Sequence, residues 1–203
     1  MITVIDYDAG NLRSVEKALL YLGETPVIAR DPREILAAEK LILPGVGAFG
    51  DAMENLRRFE LVEPIRRAVR QGTPLLGICL GMQLLFESSE ESPGVEGLSL
   101  LPGKILRIPS REGVKIPHMG WNSLTVQPGA RLFQGLPAEP YVYFVHSYYL
   151  QAGKEEIVAA TTQYSVEIHA SVEQENLFGC QFHPEKSSRV GLAILKNFAG
   201  LKP

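Results

Sequence analysis

The segment PLLGICLGMQLLFE, residues 74–87, constrains the fold of this chain most, because it is apolar yet contains two glycines placed around one cysteine. An uninterrupted apolar run of this length would form one buried element. Here Gly77 and Gly81 each lie two positions from Cys79. The pattern is typical of a sharp strand-to-helix turn, whose neighbouring positions must be small so that the two elements can approach each other. We therefore expect a strand to end at Cys79 and a helix to begin after it.

A thiol at such a turn could act as a nucleophile. The alternative is that Cys79 is a small buried hydrophobe, which is the usual state of a free cysteine. At the start of a helix, however, the helix dipole and the free backbone N–H groups favour a thiolate. The N–H of Leu80 would also be free to bind a developing oxyanion. Cys79 is therefore the candidate nucleophile.

A cysteine nucleophile needs a base, and the candidates are His118, His146, His169 and His183. His183 is followed two positions later by Glu185, so the two would share a face if the strand continued. Glu167 and His169 form a similar pair, but they alternate with apolar residues as on a strand with one solvated face. We interpret that second pair as surface. Cys180 lies an odd number of positions from His183, which predicts an opposite orientation and a structural role.

The first half of the chain alternates short apolar runs with amphipathic segments, as in ITVIDYD, LRSVEKALLYLG and KLILPG. This alternation predicts a parallel sheet covered by helices on both faces. The segment GMQLLFESS is predicted to be the helix after the turn at Cys79. The second half contains short β-rich segments separated by proline and glycine, which predicts antiparallel or mixed strands, and RVGLAILKNFAG predicts a closing helix. We expect one α/β domain, residues 1–203.

Composition excludes several classes of function. A net charge of −3 provides no electrostatic footprint for nucleic acid. No apolar run reaches the roughly 18 residues that a membrane helix needs, and MITVIDYD predicts a first strand rather than a secretory leader. Two cysteines in 203 residues are too few for a disulfide framework, which favours a cytoplasmic location.

Two motifs together resemble the triad, or class I, glutamine amidotransferases. They are GICLGMQ and HPE, which place Cys79, His183 and Glu185 at the family's nucleophile, base and orienting acid. In α/β-hydrolases the acid precedes the histidine in the chain, so that class is disfavoured. Five further motifs are similar to the glutaminase subunits of imidazole glycerol phosphate synthase: DYDAGNLRSV, LPGVGAFGDAM, PHMGWN, YFVHSYY and FHPEKSS. In the anthranilate and GMP synthetase relatives, a serine usually follows HPE in place of Lys186.

The resemblance implies a flavodoxin-like fold and a reaction. The family hydrolyses L-glutamine to glutamate and ammonia without a metal or cofactor. The ammonia passes to a (β/α)8-barrel cyclase subunit, which forms imidazole glycerol phosphate and an aminoimidazole carboxamide ribotide in histidine biosynthesis. A heterodimer with that cyclase is therefore the expected assembly.

The resemblance also assigns further residues. A second oxyanion donor would be the N–H of Val46 in the PGVG loop, reoriented when the partner and its ligand bind. That loop could instead be a plain strand-to-helix connection, and its spacing fits neither the dinucleotide fingerprint nor the P-loop. The glutamine contacts implied are Gly47, Gln83, Glu91 and Ser147. The cyclase-facing residues implied are Asn11, Trp121, Tyr143 and Lys186.

Several alternatives remain open on the sequence alone. Glu91 could belong to a solvated acidic helix end, and Trp121 could be a core aromatic. The chain could be the glutaminase of another biosynthetic complex, such as anthranilate synthase. It could also be a binding or regulatory protein that kept the fold and lost catalysis, although the intact Cys, His and Glu set argues against this.

Overall fold

The computed structural model describes residues 1–201. The helices and strands are, in chain order, β1 (Ile2–Ile5), α1 (Leu12–Tyr21), β2 (Val27–Ala29), α2 (Pro32–Leu36), β3 (Lys40–Leu43), α3 (Phe49–Arg58), α4 (Val62–Arg70), β4 (Leu75–Ile78), α5 (Leu80–Gln83), β5 (Ser88–Ser89), β6 (Gly103–Arg107), β7 (His118–Ser123), β8 (Thr125–Val126), β9 (Tyr141–His146), β10 (Tyr148–Ala152), β11 (Val158–Tyr164), β12 (Val166–Gln174), β13 (Leu177–Cys180) and α6 (Ser188–Ala199). Single-turn 3-10 helices span Arg131–Phe133, Glu155–Ile157 and Pro184–Lys186.

An eight-stranded sheet with the order β2-β1-β3-β4-β13-β12-β11-β8 forms the centre of the fold. The first five strands pair in parallel. The last three, β12, β11 and β8, pair antiparallel to their neighbours. The predicted α/β class, with a mostly parallel sheet and antiparallel additions from the second half of the chain, is therefore confirmed.

Side chains alternate between the two faces of this sheet and form a cluster on each. On one face, Ile5 and Leu41 pack with Leu56 of α3 and Ile65 of α4. On the other face, the buried residues of β1, β3 and β4 pack against α1 and α6: Val4, Ile42, Leu76, Val15, Leu19, Ile194 and Phe198. Each fully buried aliphatic side chain of this kind stabilises the fold by about 1.5–3 kcal/mol. The apolar residues at helical spacing in the sequences of α1 and α6 are the side chains that these helices bury against the sheet.

The helices on these faces are short. The longest in the described part of the chain, α6, has 12 residues. Within residues 1–201, none combines the length and the apolar character needed to span a lipid bilayer.

Two smaller sheets lie beside the carboxyl end of the main sheet. Strands β7 and β9 pair antiparallel, while β10, β6 and β5 form a three-stranded sheet. Strands β9 and β10 come from one apolar segment, YVYFVHSYYL, and the chain passes from one small sheet to the other at Ser147. This crossing places residues 145–148 next to the end of β4.

The helix predicted over GMQLLFESS is wrong beyond its first turn. Helix α5 ends at Gln83, and residues 88–89 form a short strand. The carbonyl groups of Leu84, Leu85 and Phe86 accept hydrogen bonds from the backbone N–H groups of residues 98–101. Because these long-range partners satisfy the carbonyls, the helix does not need to continue.

Candidate active site

The candidate nucleophile lies where parallel strands β3, β4 and β13 end side by side. Their registers pair Leu43 with Gly77 and Cys180 with Ile78, so all three strands finish at the same edge. The residues that follow them are the loop 44–47, Cys79 and residues 181–183. Ligand sites in open α/β sheets form at this carboxyl edge.

Cys79 occupies a strained turn, as its flanking glycines predict. Its backbone angles are φ 53° and ψ −111°, in a region that residues with side chains rarely adopt. A Cβ atom at Gly77 would lie 2.7 Å from the carbonyl oxygen of Gly81 and from the backbone of Met82. A Cβ atom at Gly81 would lie 1.8 Å from the carbonyl oxygen of Leu43. Both glycines are therefore required by close backbone approach on either side of the turn.

His183 and Glu185 are in contact, but a turn brings them together in place of the predicted strand. Strand β13 ends at Cys180, and Pro184–Lys186 forms a 3-10 turn, so the expectation of a continuing strand is wrong. The turn instead brings Glu185 Oε1 to 2.8 Å from His183 Nδ1, with both side chains almost completely buried. Burial opposes a charge on the imidazole, but the neighbouring Cys79 sulfur and Glu185 carboxylate outweigh it and raise the pKa of His183.

A cavity of about 370 Å³ opens over this turn. Its wall contains Val46, Gly47, Cys79, Leu80, Gln83, Glu91, Pro117, Val145, His146, Ser147, Tyr148, His183 and Lys186. The cavity thus brings together the candidate nucleophile and base, both candidate oxyanion residues and all four residues expected to contact glutamine. Glu185 lies behind His183 instead.

The comparisons with known proteins agree with this geometry. The family model described as glutamine amidotransferase class-I matches residues 3–200. The chain belongs to the class-I glutamine amidotransferase family. A relative from Moorella thermoacetica, imidazole glycerol phosphate synthase subunit HisH, is 56% identical over 201 residues, which cover 98% of this chain and 94% of the relative.

Other relatives carry the same name. The HisH subunit of Thermosynechococcus vestitus is 52% identical over 98% of this chain and 96% of its own length. That of Geobacter sulfurreducens is 49% identical over 99% of both chains. The resemblance to imidazole glycerol phosphate synthase glutaminases is therefore confirmed, and this amidotransferase is an enzyme subunit.

Solved structures show the same fold at low sequence identity. A crystal structure of a glutamine amidotransferase superposes with a TM-score of 0.76 at 20% identity, covering 98% of this chain and 100% of that chain. PurLQS from Thermotoga maritima gives a TM-score of 0.75 at 23% identity, covering 98% and 96% of the two chains.

Glu91 caps a helix in this amidotransferase. Its Oε2 atom accepts a hydrogen bond of 2.8 Å from the N–H of Phe49, and the hydroxyl of Ser92 accepts one from Gly50. These are the first N–H groups of α3, where negative charge is favoured. The interpretation of Glu91 as part of a solvated helix end is wrong, because the carboxylate is half-buried beside the loop 44–47.

Tyr7 holds the loop 44–47 in place through a buried hydrogen bond. Its side chain is fully buried, and its hydroxyl donates a 2.6 Å hydrogen bond to the carbonyl oxygen of Pro44. Burial raises the pKa of Tyr7 far above its ordinary value, and the adjacent Cys79 adds to the effect. A Cβ atom at Gly45 would lie 2.7 Å from both the Tyr7 hydroxyl and the Gly81 nitrogen. The loop is therefore packed closely against the turn that carries the sulfur.

Two of the four candidate bases, His118 and His146, are buried and contact each other, and His146 lines the cavity. His146 Nε2 lies 2.9 Å from His118 Nδ1, and His146 Nδ1 lies 2.8 Å from the carbonyl oxygen of Tyr148. His118 is stacked between the rings of Phe144 and Tyr164. Burial lowers the pKa of His118 to about 4 and that of His146 to about 3. Both imidazoles are therefore neutral at ordinary pH.

The remaining histidine and the second cysteine lie outside the cavity wall. His169 is half-buried on β12, and its Nδ1 accepts a hydrogen bond from the N–H of Ala152, so the solvated-pair interpretation is wrong for this side chain. Cys180 is fully buried beside the hydroxyl of Ser171, and burial raises its pKa to about 12. Among residues 1–201, no group of three or more His, Cys, Asp or Glu side chains is arranged to hold a metal ion.

Of the four residues expected to face a partner, two form an aromatic pair and a third lines the cavity. Trp121 is 53% exposed and meets Tyr143 across the β7–β9 pair, with their rings edge to face at 6.0 Å. The core-aromatic interpretation of Trp121 is therefore wrong. Lys186 is exposed and lines the cavity, and Asn11 is half-buried at the start of α1.

Proposed function

We propose that this chain hydrolyses L-glutamine through Cys79, His183 and Glu185, and supplies the ammonia to a (β/α)8-barrel cyclase subunit. The observation that carries the proposal is the strained turn at Cys79, which opens into the same cavity as the buried His183–Glu185 pair. Glutamine hydrolysis for histidine biosynthesis fits the HisH relatives at 49–56% identity. The domain that performs it spans residues 1–203.

The first half of the reaction forms a thioester. The Cys79 sulfur attacks the side-chain carbonyl carbon of glutamine, and a tetrahedral intermediate with an oxyanion results. His183, holding the proton taken from the thiol, donates it to the departing amide nitrogen, and ammonia leaves. Glu185 keeps Nδ1 of the imidazole protonated and so presents Nε2 to the reacting groups.

The second half releases glutamate. His183 Nε2, now neutral, accepts a proton from a water molecule that attacks the glutamyl thioester. The carbon–sulfur bond breaks, glutamate leaves, and the proton on His183 pairs again with the Cys79 thiolate. No proton is consumed or produced by the protein over the cycle.

The oxyanion is bound by the N–H of Leu80 and the N–H of Val46. The first N–H of a helix has no intrahelical partner, which applies to Leu80 at the start of α5. Val46 is 44% exposed at the cavity mouth, and the positive φ of Gly47, 100°, supports a loop that can change orientation. One oxyanion donor contributes on the order of 10² to 10³ in rate.

Glutamine itself is held by four further residues of the cavity wall. Glu91 pairs with the α-ammonium group through the carboxylate that also caps α3. Gln83 contacts the substrate with its side-chain amide, and backbone groups of Gly47 and Ser147 complete the site. All four residues line the cavity, which supports this assignment.

The cyclase docks on the face that carries Asn11, Trp121, Tyr143 and Lys186. The exposed fraction of Trp121 supports docking there, because a large exposed aromatic side chain is a frequent binding hot spot. The cyclase uses the ammonia to make imidazole glycerol phosphate and aminoimidazole carboxamide ribotide. Binding of the cyclase and its nucleotide reorients the Val46 peptide toward the oxyanion.

A glutaminase assay with and without the cyclase subunit and its nucleotide ligand tests this proposal. We expect slow hydrolysis by the isolated chain, stimulation of at least 10²-fold in the liganded complex, and no hydrolysis by Cys79→Ala in either state. Parental activity in Cys79→Ala would exclude the nucleophile assignment. Equal rates with and without the partner would exclude the reorientation of Val46.

The alternatives give different results in the same experiments. A glutaminase of anthranilate synthase type would be stimulated by that synthase subunit and not by the cyclase. A binding protein without catalysis would show no burst of glutamyl thioester when mixed with glutamine.

A further inference from the structure

Gln181 is a buried polar residue that the proposed mechanism leaves without a role. It follows β13 directly, two positions before His183, and its side chain is fully buried. Its backbone N–H donates to the carbonyl oxygen of Ala170, which fixes the chain at this point. A buried amide needs partners for both its oxygen and its nitrogen, because unpaired polar groups are costly in the interior.

The hydrogen bonds around Gln181 determine which end of its amide faces the Cys79 sulfur. Gln83 Nε2 lies 3.1 Å from the carbonyl oxygen of Tyr148, which can only accept, so this end of the Gln83 amide is the donor. The same nitrogen lies 2.9 Å from Gln181 Oε1. Gln181 therefore presents its oxygen to Gln83 and its NH₂ group to Cys79 Sγ, at 3.8 Å.

The carbonyl of Tyr148 that sets this direction also accepts a hydrogen bond from His146, which in turn contacts His118. His146 Nδ1 must carry a proton to donate to Tyr148, so its Nε2 accepts from His118 Nδ1. His118 Nε2 then accepts from the side-chain amide of Asn122, at 3.4 Å. Two series of hydrogen bonds thus meet at the carbonyl oxygen of Tyr148, one from Asn122 on β7 through the histidines and one from Gln83, whose amide also contacts Gln181 beside the sulfur.

Besides His183, the sulfur has two polar neighbours, and each suits one of its protonation states. The carbonyl oxygen of Val145, at 3.8 Å, can accept from a thiol but cannot donate to a thiolate. The Gln181 NH₂ group can only donate, and a donor stabilises an anion.

We propose that Gln181 donates a hydrogen bond to the Cys79 thiolate and holds it in the attacking position, with the direction of its amide set by Gln83 and the carbonyl of Tyr148. This inference rests on the proposal that Cys79 is the nucleophile. A charge-assisted hydrogen bond of this kind corresponds to about a tenfold change in rate. Gln181 contacts the reacting sulfur, so its loss lowers kcat and leaves the KM for glutamine nearly unchanged.

The test compares Gln181→Met and Gln181→Glu in the full-length chain assembled with its partner. Methionine keeps the shape and removes both hydrogen bonds, while glutamate keeps the acceptor for Gln83 and replaces the donor. We expect about a tenfold fall in kcat and about a tenfold slower alkylation of Cys79 by iodoacetamide in both variants, with a KM within about twofold in Gln181→Glu, which keeps the acceptor for Gln83. Alkylation is read by mass spectrometry, which separates Cys79 from the buried Cys180. Gln151→Met, at an exposed position of β10, is the matched control and keeps parental values.

Three outcomes separate the possibilities. Parental kcat and alkylation rates in both Gln181 variants, with Cys79→Ala inactive, would overturn this inference alone. Activity in Cys79→Ala would overturn the proposed nucleophile instead. If neither Gln181 variant folds, the NMR signal of the Gln181 side-chain NH₂ group decides: it shifts between the parental chain and Cys79→Ala, and an unchanged signal overturns the inference.

Discussion

His183 is the residue at which burial and charge compete most directly. Burial disfavours its protonated form, while the Cys79 sulfur and the Glu185 carboxylate favour it and raise the pKa. The second carboxylate oxygen, Glu185 Oε2, is buried and has no hydrogen-bond partner among the described residues. The carboxylate is therefore held almost entirely by the histidine. This makes Glu185 the residue whose charge most affects the imidazole.

Glu185→Gln removes that charge and keeps the shape. We expect kcat for glutamine to fall by about 10³-fold or more, because the imidazole loses its orientation and tautomer.

The same substitution should also make the difference in unfolding free energy between the two proteins depend on pH. A raised histidine pKa stabilises the fold fully below the unfolded value of about 6.5, and the contribution is lost as pH rises through the folded value. The parental chain should therefore exceed the variant by about 1.5–3 kcal/mol near pH 5 and by less near pH 9, measured by urea unfolding. A constant difference across this range would contradict the assignment.

His146 shows the opposite shift and predicts acid sensitivity. Its folded pKa, lowered to about 3 by burial, lies below the unfolded value, so the unfolded chain binds the extra proton first. Stability should be lost as pH falls from about 6.5 toward 4, with this residue contributing about 1.4 kcal/mol per pH unit. His146→Gln keeps a side-chain amide and should flatten the slope of unfolding free energy against pH by that amount. His169→Gln, at a half-buried position, should flatten it less; equal slopes in all three proteins would contradict this reasoning.

At the scale of the elements, the site depends on how closely α5 can approach two strands. The turn holds Cys79 only because Gly77 and Gly81 let the backbone of α5 touch β3 and β4. Helix α5 is a single turn of four residues. Its dipole is therefore small, and the local N–H groups and side-chain donors at the sulfur are more important than the sequence alone indicated.

Gly81→Ala should be severely destabilising for this reason. Its Cβ atom would overlap the carbonyl oxygen of Leu43, at 1.8 Å, and this backbone atom cannot move without shifting β3. We expect a loss of at least about 3 kcal/mol in unfolding free energy, measured by urea denaturation. Gly200→Ala is the matched control, because its Cβ atom would meet no atom closer than 3.5 Å and its φ is −78°. That variant should stay within about 0.5 kcal/mol of the parental chain. Similar losses in both would show that close approach is not the cause.

At the scale of the molecule, the sequence predicts what depends on local pattern. The alternation of apolar runs and amphipathic segments indicates the parallel sheet, and the G-x-C-x-G spacing indicates the turn. The end of α5 could not be predicted, because the carbonyl groups that follow it pair with residues distant in the chain. The 3-10 turn at Glu185 closes through local hydrogen bonds, but the N–H of His183 just before it pairs with Tyr143, far away in the sequence. The same holds for the roles of Glu91, Gln181 and His146, since their hydrogen-bond partners lie 42, 102 and 28 positions away in the sequence.

The aromatic pair on β7 and β9 is the surface through which we expect the whole molecule to join its partner. The exposed Trp121 and the half-buried Tyr143 form an aromatic pair across β7 and β9, and β7 also carries His118 and Asn122, which are hydrogen-bonded to each other and to His146. A partner bound to this pair would therefore contact β7, the strand whose His118 is hydrogen-bonded to His146 in the cavity wall. Trp121→Ala should weaken binding of the proposed cyclase partner by about 30-fold, or about 2 kcal/mol, measured by isothermal titration calorimetry. Tyr21→Ala is the control, because Tyr21 is 79% exposed at the end of α1 and outside the proposed face. Its affinity should be parental. Equal weakening by both variants, or none by Trp121→Ala, would place the docking surface elsewhere.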